Sequence, residues 1–399
     1  MKKLLFVDDD TKLLNGMERQ FHAMRGEWQM KFMDQGPAAL EFMAANPVDI
    51  IVTDLRMSGM NGAQLLENVR DRHPDTVRLV LSGQTDMEIS LKLAGSAHQF
   101  LAKPCNPDEL RDAIKRAFAM RDLLSNDNIK RLATRMTSLP SLPSLQNQLA
   151  EEMGVENPSI ERVSEIISRD IGMTTKILQL VNSAFFGLPQ TFSRIDEAVQ
   201  YLGLGTVRAL ALSLQIFSQY NQKTMIHGFS LDELASHCWQ VGVIAKKIAQ
   251  AEHGSPKLND QCFLSGLLHD IGHLIIAFNL PEQSILVFER ARKERMTICE
   301  SERIEFGTTH AEIGGYLLAL WGLPTPVVEA VSFHHRPADC FSQGFSICIA
   351  VHVANAFAHD SIELRQDWPG HGVDEECLKK IGIDNRLDFW RNRCLGNGG

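Results

Sequence analysis

Five short apolar runs occur in the first 121 residues, each separated from the next by a stretch with helical spacing. This alternation constrains the fold more than any other feature, and it predicts strands at residues 4–7, 30–33, 50–53, 79–81 and 100–102. Three of these runs are apolar on both faces, which is typical of strands inside a parallel sheet, and 30–33 is predicted to be an edge strand. Five successive strand–helix units predict a doubly wound α/β sheet with ligands at the carboxyl ends of its strands.

The helices of this first region are predicted at residues 11–24, 36–45, 62–71, 85–94 and 106–120. After residue 121 the chain becomes polar, and Pro140 and Pro143 then interrupt any continuous helix. We therefore predict a first domain at 1–121 and a connector at 122–138, with a helix over 122–136.

The rest of the chain has apolar residues at helical spacing and few stretches that alternate with period two. Helices are predicted at 159–167, 172–183, 195–202, 206–217, 231–252, 260–278, 284–294, 301–321, 326–334 and 346–358. The second domain, at 139–336, is therefore predicted to be an all-α helical bundle. A C-terminal extension follows at 337–399, with one further helix predicted at 375–381.

Composition restricts the function classes. The 399 residues carry a formal net charge of −9, which disfavours nucleic-acid binding by bulk attraction to phosphates. The eight cysteines are scattered without a CxxC pair, which favours a reducing compartment over a disulfide scaffold or zinc ribbon. The apolar run after Met1 is too short for a signal peptide, and no stretch reaches the ~20 apolar residues of a membrane span. We expect a soluble, cytoplasmic protein with no membrane partner.

Ionic side chains follow the predicted strands of the first domain. Asp8 and Asp9 come after the first strand, and Asp54, Ser82 and Lys103 lie at the ends of later ones. Because the carboxyl ends of parallel strands meet at one edge, these groups are expected to converge. Three carboxylates with one lysine suit Mg²⁺ and allow an aspartate to accept a phosphoryl group.

This first domain resembles the flavodoxin-like receiver domain of bacterial response regulators. The matching segments are LLFVDD (4–9), VTD (52–54), MSGMNG (57–62), LSG (81–83) and AKP (102–104). The resemblance implies that Asp54 is the phosphoacceptor and that Mg²⁺ is held by Asp8, Asp9, Asp54 and the main-chain carbonyl of Arg56. It also implies that Ser82 and Lys103 bind the phosphoryl oxygens and that Phe100 is the aromatic switch residue. Ser58 stands where this family usually has a proline.

The second domain contains an unusual concentration of histidines. The histidines and the aspartate that stand out are His237, His269, Asp270, His310, His334 and His335. Imidazole and carboxylate groups on neighbouring helices of a bundle can ligate one or two transition metals, and such metals can activate water for attack on a phosphodiester.

This set resembles the HD phosphohydrolase superfamily, and more narrowly the HDOD family of HD-related output domains. The segments that carry the HDOD resemblance are NSAFFG (182–187), IDEAV (195–199), LG (202–203), GLLHDIG (266–272), HAEIG (310–314) and WGLP (321–324). HDOD domains are regarded as regulatory relatives of the hydrolases. Asn355 stands where active relatives have a final acidic ligand, and His273 stands where active cyclic-di-GMP hydrolases have a lysine. The resemblance implies a degenerate HD site with Fe, Mn or Zn as candidate metals.

Together these features predict a response regulator that is phosphorylated by a cognate sensor histidine kinase. Its HDOD domain is expected to act on a downstream signalling protein without catalysis, and a homodimer is expected. The alternative is a receiver-controlled, metal-dependent phosphodiesterase with a cyclic-di-GMP-like substrate. A DNA-binding output is disfavoured because no basic recognition helix is visible.

Overall fold

A computed structural model describes residues 1–82, 96–103, 106–124, 126–136, 139–141, 143–155, 157–182, 192–204, 207, 218–219, 231–340, 344–360 and 372–395. Within these ranges the chain has an N-terminal α/β half and a C-terminal helical half, which confirms the predicted fold class. The predicted helix at 85–94 lies outside the described residues, and the one at 206–217 lies outside them except for Val207.

The N-terminal half is built on a five-stranded parallel sheet in the order β2-β1-β3-β4-β5. Its strands are β1 Lys2–Val7, β2 Trp28–Met33, β3 Ile50–Asp54, β4 Val77–Ser82 and β5 Gln99–Ala102. β3 and β4 are buried along their whole length, as expected for apolar strands covered on both faces. The run at 30–33 belongs to an edge strand, as predicted.

The described helices of this half are α1 Thr11–Gln20, α2 Gly36–Ala45, α3 Gly62–Arg72 and α4 Pro107–Leu123. Side-chain caps fix three of their starts, at Asp10, Asn61 and Asn106. The predicted connector helix over 122–136 is wrong in its start, because α4 continues to Leu123. A separate helix follows, α5 Asp127–Arg135. The Asn126 side chain caps its start by accepting hydrogen bonds from two backbone amides.

The described helices of the C-terminal half are α6 Pro143–Gly154, α7 Ile160–Ser168, α8 Ile171–Val181, α9 Ile195–Leu202, α10 Leu231–Ala251, α11 Pro256–Leu268, α12 Ile271–Asn279, α13 Pro281–Glu294, α14 Ile298–Phe306, α15 His310–Leu320, α16 Thr325–Phe333 and α17 Ile347–Asp360. Two short strands, β6 Pro140–Ser141 and β7 Ser218–Gln219, pair in parallel. In the extension, α18 Glu375–Lys380 was predicted, whereas α19 Leu387–Leu395 was not.

Two predicted long helices are each broken in the structure. The helix expected at 260–278 is divided at His269 and Asp270 into α11 and α12. The helix expected at 301–321 is divided into α14 and α15, because Gly307 takes a left-handed conformation and Thr309 forms a capping box with Glu312. Both breaks place chemically active side chains at helix ends, where they can converge.

A close approach of α12 to α15 brings these two breaks together. A Cβ on Gly272 would lie 1.9 Å from the carbonyl oxygen of His310, so no other residue fits there without displacing a helix. The start of α12, next to His269 and Asp270, therefore lies directly against the first residue of α15.

The two halves share one continuous core. Buried side chains extend without interruption from β1 through α4 and α5 into α15. Hydrogen bonds cross the same boundary: His98 Nε2 donates to the Thr134 carbonyl at 2.6 Å, and Thr134 Oγ1 lies 2.9 Å from the Tyr316 hydroxyl. The Gln179 side chain donates to the His98 carbonyl at 2.9 Å. His98, which directly precedes β5, and the connector are thus packed against the helical bundle.

Among the described residues, one helical segment, residues 256–279, has the length and composition of a membrane span. It includes α11 and α12, and 83% of its most apolar window is buried inside the molecule. Core helices of globular bundles meet the same criteria, so this segment is weak support for a membrane association.

Candidate functional site

The carboxyl edge of the sheet carries an ionic pocket formed by Asp8, Asp9, Asp54 and Lys103, which we call the receiver pocket. Lys103 Nζ lies 2.7 Å from Asp8 Oδ2 and 2.9 Å from Asp54 Oδ1. Asp8 directly follows β1, Asp54 is the last residue of β3 and Lys103 directly follows β5, as the parallel topology predicts. Asp8 and Asp54 are buried, whereas Asp9 is exposed at the mouth of the pocket.

The oxygen atoms of the receiver pocket suit a hard divalent cation. One carboxylate oxygen from each of Asp8, Asp9 and Asp54 lies within 4.8 Å of the other two. Backbone amides hold two of these carboxylates, since the Asp10 N–H donates to Asp8 and the Ser58 N–H donates to Asp9. Carboxylate oxygens are the ligands that Mg²⁺ prefers in proteins, so the residues present fit the ion implied by the sequence.

One lysine offsets part of the negative charge in the receiver pocket. Burial raises the pKa of Asp54 above its ordinary value, and Lys103 acts in the opposite direction. Burial by itself lowers the pKa of Lys103, but Asp8 and Asp54 outweigh it, so this pKa lies above its ordinary value. Lys103 is therefore a permanent cation facing the Asp54 carboxylate.

The other residues assigned to the receiver pocket lie around it. Ser82 is buried at the end of β4, and its carbonyl accepts the Lys103 amide at 2.8 Å. Phe100 is 3% exposed within the core of the sheet, and Arg56 is exposed in the loop after β3. Gly62 closes this loop: a Cβ there would lie 1.9 Å from the Asp54 carbonyl oxygen.

A second site lies inside the helical bundle and is built around the Asp270 carboxylate. We call its members the imidazole cluster; they are His237, His269, Asp270, His310, His334 and His335. The Asp270 oxygens lie 3.3 Å from Nε2 of both His269 and His310, and 3.7 Å from Nε2 of both His237 and His334. His335 Nε2 lies 3.2 Å from His310 Nε2. The structure thus brings all six together from α10, the α11–α12 turn, α15 and the end of α16.

Hydrogen bonds fix the ring orientation of three histidines in the cluster. His269 Nδ1 donates to the Gly266 carbonyl at 2.7 Å and His334 Nδ1 to the Val331 carbonyl at 2.8 Å. His310 Nδ1 faces the Glu302 carboxylate at 2.7 Å. Each Nε2 is therefore turned toward Asp270, and Nε2 of His269 and His334 forms no hydrogen bond with any described residue. Buried imidazole nitrogens of this kind are donors that a transition metal could use.

The electrostatics of the cluster centre on two buried carboxylates. Burial by itself raises the pKa of Asp270, but His269 and His310 outweigh it and hold this pKa well below its ordinary value. Burial lowers the pKa of His334 well below its ordinary value, so its imidazole is neutral. Burial opposes protonation of His310 as well, but Glu302 raises the pKa of that ring well above its ordinary value.

Glu302 was not singled out from the sequence. It lies in α14, eight residues before His310, and the turn at Gly307 brings it back against that ring. No spacing rule connects two residues across such a turn. The only sequence signal for Glu302 is therefore its position shortly before the HAEIG segment. Asn355 does lie at the cluster as expected, and its Oδ1 is 3.0 Å from His237 Nε2.

Family comparisons match both halves of the chain. A family described as response regulator receiver domain matches residues 4–115, and the HDOD domain family matches residues 139–337. This chain is a response regulator with an HDOD domain. In this HDOD response regulator, the receiver pocket falls within the first match, and all of the imidazole cluster within the second.

Curated relatives match parts of the HDOD response regulator. An uncharacterized protein of Treponema pallidum is 31% identical over 51% of this chain and 39% of its own length. The hydrogenase transcriptional regulatory protein HoxA of Cupriavidus necator is 31% identical over 36% of this chain and 30% of its own length. The DNA-binding transcriptional regulator NtrC of Escherichia coli is 30% identical over 28% and 24%. The chain thus spans less than two fifths of these relatives.

Solved structures also align with the HDOD response regulator. A fragment of the MmoQ response regulator of Methylococcus capsulatus covers 66% of this chain and 92% of its own, with 21% identity and a TM-score of 0.48. A virulence factor of Campylobacter jejuni covers 71% and 93%, with 19% identity and a TM-score of 0.47.

Proposed function

We propose that phosphorylation of Asp54 by a cognate sensor histidine kinase changes the surface that the HDOD domain presents to a downstream signalling protein. The output is protein–protein regulation without catalysis. The single observation that carries this proposal is the position of β5, which leads from Lys103 in the receiver pocket to His98 at the contact with the helical bundle. We expect a cytoplasmic protein that forms a homodimer.

The receiver pocket supports transfer of a phosphoryl group to Asp54. An Asp54 carboxylate oxygen forms a bond to phosphorus while the phosphorus–nitrogen bond of the kinase phosphohistidine breaks, and the released imidazole takes a proton from solvent. Mg²⁺ held by Asp8, Asp9, Asp54 and the Arg56 carbonyl would offset negative charge on the transferred group. Lys103 contributes the same stabilisation from the protein, and its pairing with Asp8 keeps the ammonium in place.

β5 is a short route from the pocket to the second domain. Four strand residues separate His98 from Lys103, and Phe100 lies between them in the core. The phosphoryl group adds charge beside Lys103 and Ser82, and we expect both to move toward it. Because β5 connects Lys103 to His98 directly, we expect a shift at one end to change the His98 contacts with Thr134 and Gln179.

The test compares the full chain with the Asp54→Asn variant before and after treatment with acetyl phosphate and Mg²⁺. We expect hydrogen exchange in α5 and α15 and the oligomeric state to change only when Asp54 is present. Asp71→Asn, an exposed carboxylate in α3, is the matched control and should respond like the wild type. An identical response in Asp54→Asn would contradict the proposal.

A second candidate function is a metal-dependent phosphodiesterase, and the imidazole cluster favours it. Nε2 of His269 and His334 converges on a buried carboxylate, an arrangement that suits a metal able to activate water. Asn355 argues against turnover because a neutral amide does not bridge two cations as a carboxylate does. A turnover assay with cyclic-di-GMP and Mn²⁺ or Fe²⁺, repeated with His269→Ala, separates the two candidates. An enzyme forms product in the wild type and not in the variant, whereas a non-catalytic domain forms product in neither.

A further inference from the structure

We propose that the HDOD domain binds one transition-metal ion, not two, at Asp270, His310, His334 and His335, and that Glu302 is the positioning residue of this centre. The adjacent position, formed by His237, His269 and Asp270, is closed by Asn355. The inference concerns the site of the second candidate function, but it depends neither on turnover nor on phosphorylation of Asp54.

The first position has a complete donor set. One ligand atom from each of Asp270, His310, His334 and His335 lies within 4.8 Å of the others. Three imidazole nitrogens and one carboxylate oxygen suit Zn²⁺, Fe²⁺ or Mn²⁺ better than Mg²⁺, which prefers oxygen ligands. Asp270, His310 and His334 are buried, and His335 is half-buried.

The orphaned nitrogen of His334 needs an explanation, and a cation supplies it. This side chain is fully buried, its Nδ1 hydrogen is committed to the Val331 carbonyl, and Nε2 has no hydrogen-bond partner among the described residues. Because Nδ1 carries the hydrogen, Nε2 of the neutral ring carries the lone pair. A buried acceptor without a partner costs about 1–3 kcal/mol, which coordination of a metal would remove.

Glu302 holds His310 in the orientation that a metal ligand needs. One oxygen of its carboxylate accepts both the His310 backbone N–H at 2.9 Å and the Nδ1 hydrogen at 2.7 Å. This leaves Nε2 directed at Asp270 and His335. A carboxylate behind a ligating histidine fixes its tautomer and raises its basicity.

The second position lacks a free third ligand. His237 faces Asp270 through Nε2. This nitrogen is hydrogen-bonded to the Asn355 side chain at 3.0 Å, whichever tautomer the ring adopts. Only His269 and Asp270 then remain, and two ligands do not hold a transition metal against water.

The buried charge also matches one divalent ion. Asp270 pairs with His269 and Glu302 with His310, and these two carboxylates contribute two negative charges. A second divalent ion would leave two uncompensated positive charges in a buried site, which is strongly unfavourable. An aspartate at position 355 would add the missing ligand and offset one of these two charges.

The experiment measures metal stoichiometry in the full-length protein. Apo-protein is titrated with Co²⁺ in excess Mg²⁺, which fills the oxygen ligands of the receiver pocket but does not compete for imidazoles. Elemental analysis and the visible absorption of bound Co²⁺ then report number and type of sites. We expect one Co²⁺ per chain for the wild type, none for His334→Ala, and two for Asn355→Asp.

Glu302→Gln tests the positioning role. We expect Co²⁺ affinity to fall by about 10–100-fold with the stoichiometry still at one. His22→Ala, an exposed histidine of the first domain, is the control and should bind like the wild type. Circular dichroism separates loss of the site from loss of folding. A wild type that binds no Co²⁺ or two, or an Asn355→Asp variant that stays at one, would overturn the proposal, and turnover plays no part in either result.

Discussion

The receiver pocket and the imidazole cluster are both buried ionic sites, yet they balance their charge differently. In the receiver pocket, Lys103 pairs with both Asp8 and Asp54 and offsets part of their negative charge. In the imidazole cluster, every ion-pair partner that the structure gives Asp270 among the described residues is a histidine, and two of these rings keep an orphaned nitrogen. The receiver pocket thus combines carboxylates with a permanent cation and suits a transient added charge, whereas the imidazole cluster surrounds one carboxylate with nitrogen donors that suit a transition metal.

Both sites depend on a glycine that permits a close backbone approach. Gly62 lies against the Asp54 carbonyl and Gly272 against the His310 carbonyl, and in each case a Cβ would fall 1.9 Å from the oxygen. The difference lies in what is brought together, since Gly62 closes one loop at a sheet edge and Gly272 joins two helices.

The largest expected effect is the loss of phosphorylation at the receiver pocket, and its failure would remove the difference drawn between the two sites. Asp54→Asn is predicted to abolish the added phosphoryl mass seen after incubation with acetyl phosphate and Mg²⁺, because an amide does not attack phosphorus. Intact-mass spectrometry checks this, with Asp71→Asn as the control that is still labelled. A label of equal yield in Asp54→Asn would place the acceptor elsewhere.

The two glycines sharpen the comparison by separating the sites. Gly272→Ala is predicted to lower the free energy of unfolding by about 3 kcal/mol and Co²⁺ affinity by at least about 10-fold, because the Cβ displaces α12 from α15. Gly62→Ala is predicted to lower the yield of phosphorylation and leave Co²⁺ binding unchanged. Denaturant titration, mass spectrometry and metal titration on both variants check this, and damage to both sites by either variant would show that they are not independent.

Lys176 offers a third kind of buried charge. Its Nζ donates to the Gln179 side chain at 2.9 Å, and burial lowers its pKa to about 7. Between this value and the ordinary 10.5 the unfolded chain binds a proton that the folded chain does not, so stability falls as pH falls through that window. Lys176→Met is predicted to stabilise the protein by about 2 kcal/mol at pH 7 and to flatten this dependence. Unfolding free energies measured from pH 7 to 10 check it, and an unchanged slope would contradict it.

The smallest expected effect concerns the contact between the domains. Tyr316→Phe removes the hydroxyl that faces Thr134, and we predict a loss of about 1 kcal/mol in unfolding free energy. Tyr201→Phe, which alters an exposed ring, is the control. If this contact transmits the signal, Tyr316→Phe also weakens the phosphorylation-dependent change in hydrogen exchange of α15. An exchange change as large as that of the wild type would show that the hydrogen bond contributes to stability only.

The receiver pocket was predictable from the sequence because its residues follow strands directly. Asp8, Asp54 and Lys103 each lie at a strand end, and parallel topology alone brings them to one edge. The histidines of the cluster could be named but not arranged, since their convergence depends on helix breaks that period-3.6 patterns do not reveal. Glu302 was missed because its contact with His310 depends on the turn at Gly307. The hydrogen bond between His237 and Asn355 depends on side-chain geometry, which the sequence pattern does not reveal.

The connector shows the same limit. Its polar sequence suggested one helix between two separate domains, but Ile129 and Ala133 are buried against the bundle. Propensity alone does not distinguish an exposed linker helix from one with a single apolar face covered by a neighbour.

The unbroken core that joins the sheet to α15 has a consequence for anyone who dissects this chain. A truncation placed between α4 and α5 would leave the apolar side chains of both pieces open to water, and each fragment would be prone to aggregate. A chimera designed to keep the signalling response should therefore include both α5 and α15, because they share this core.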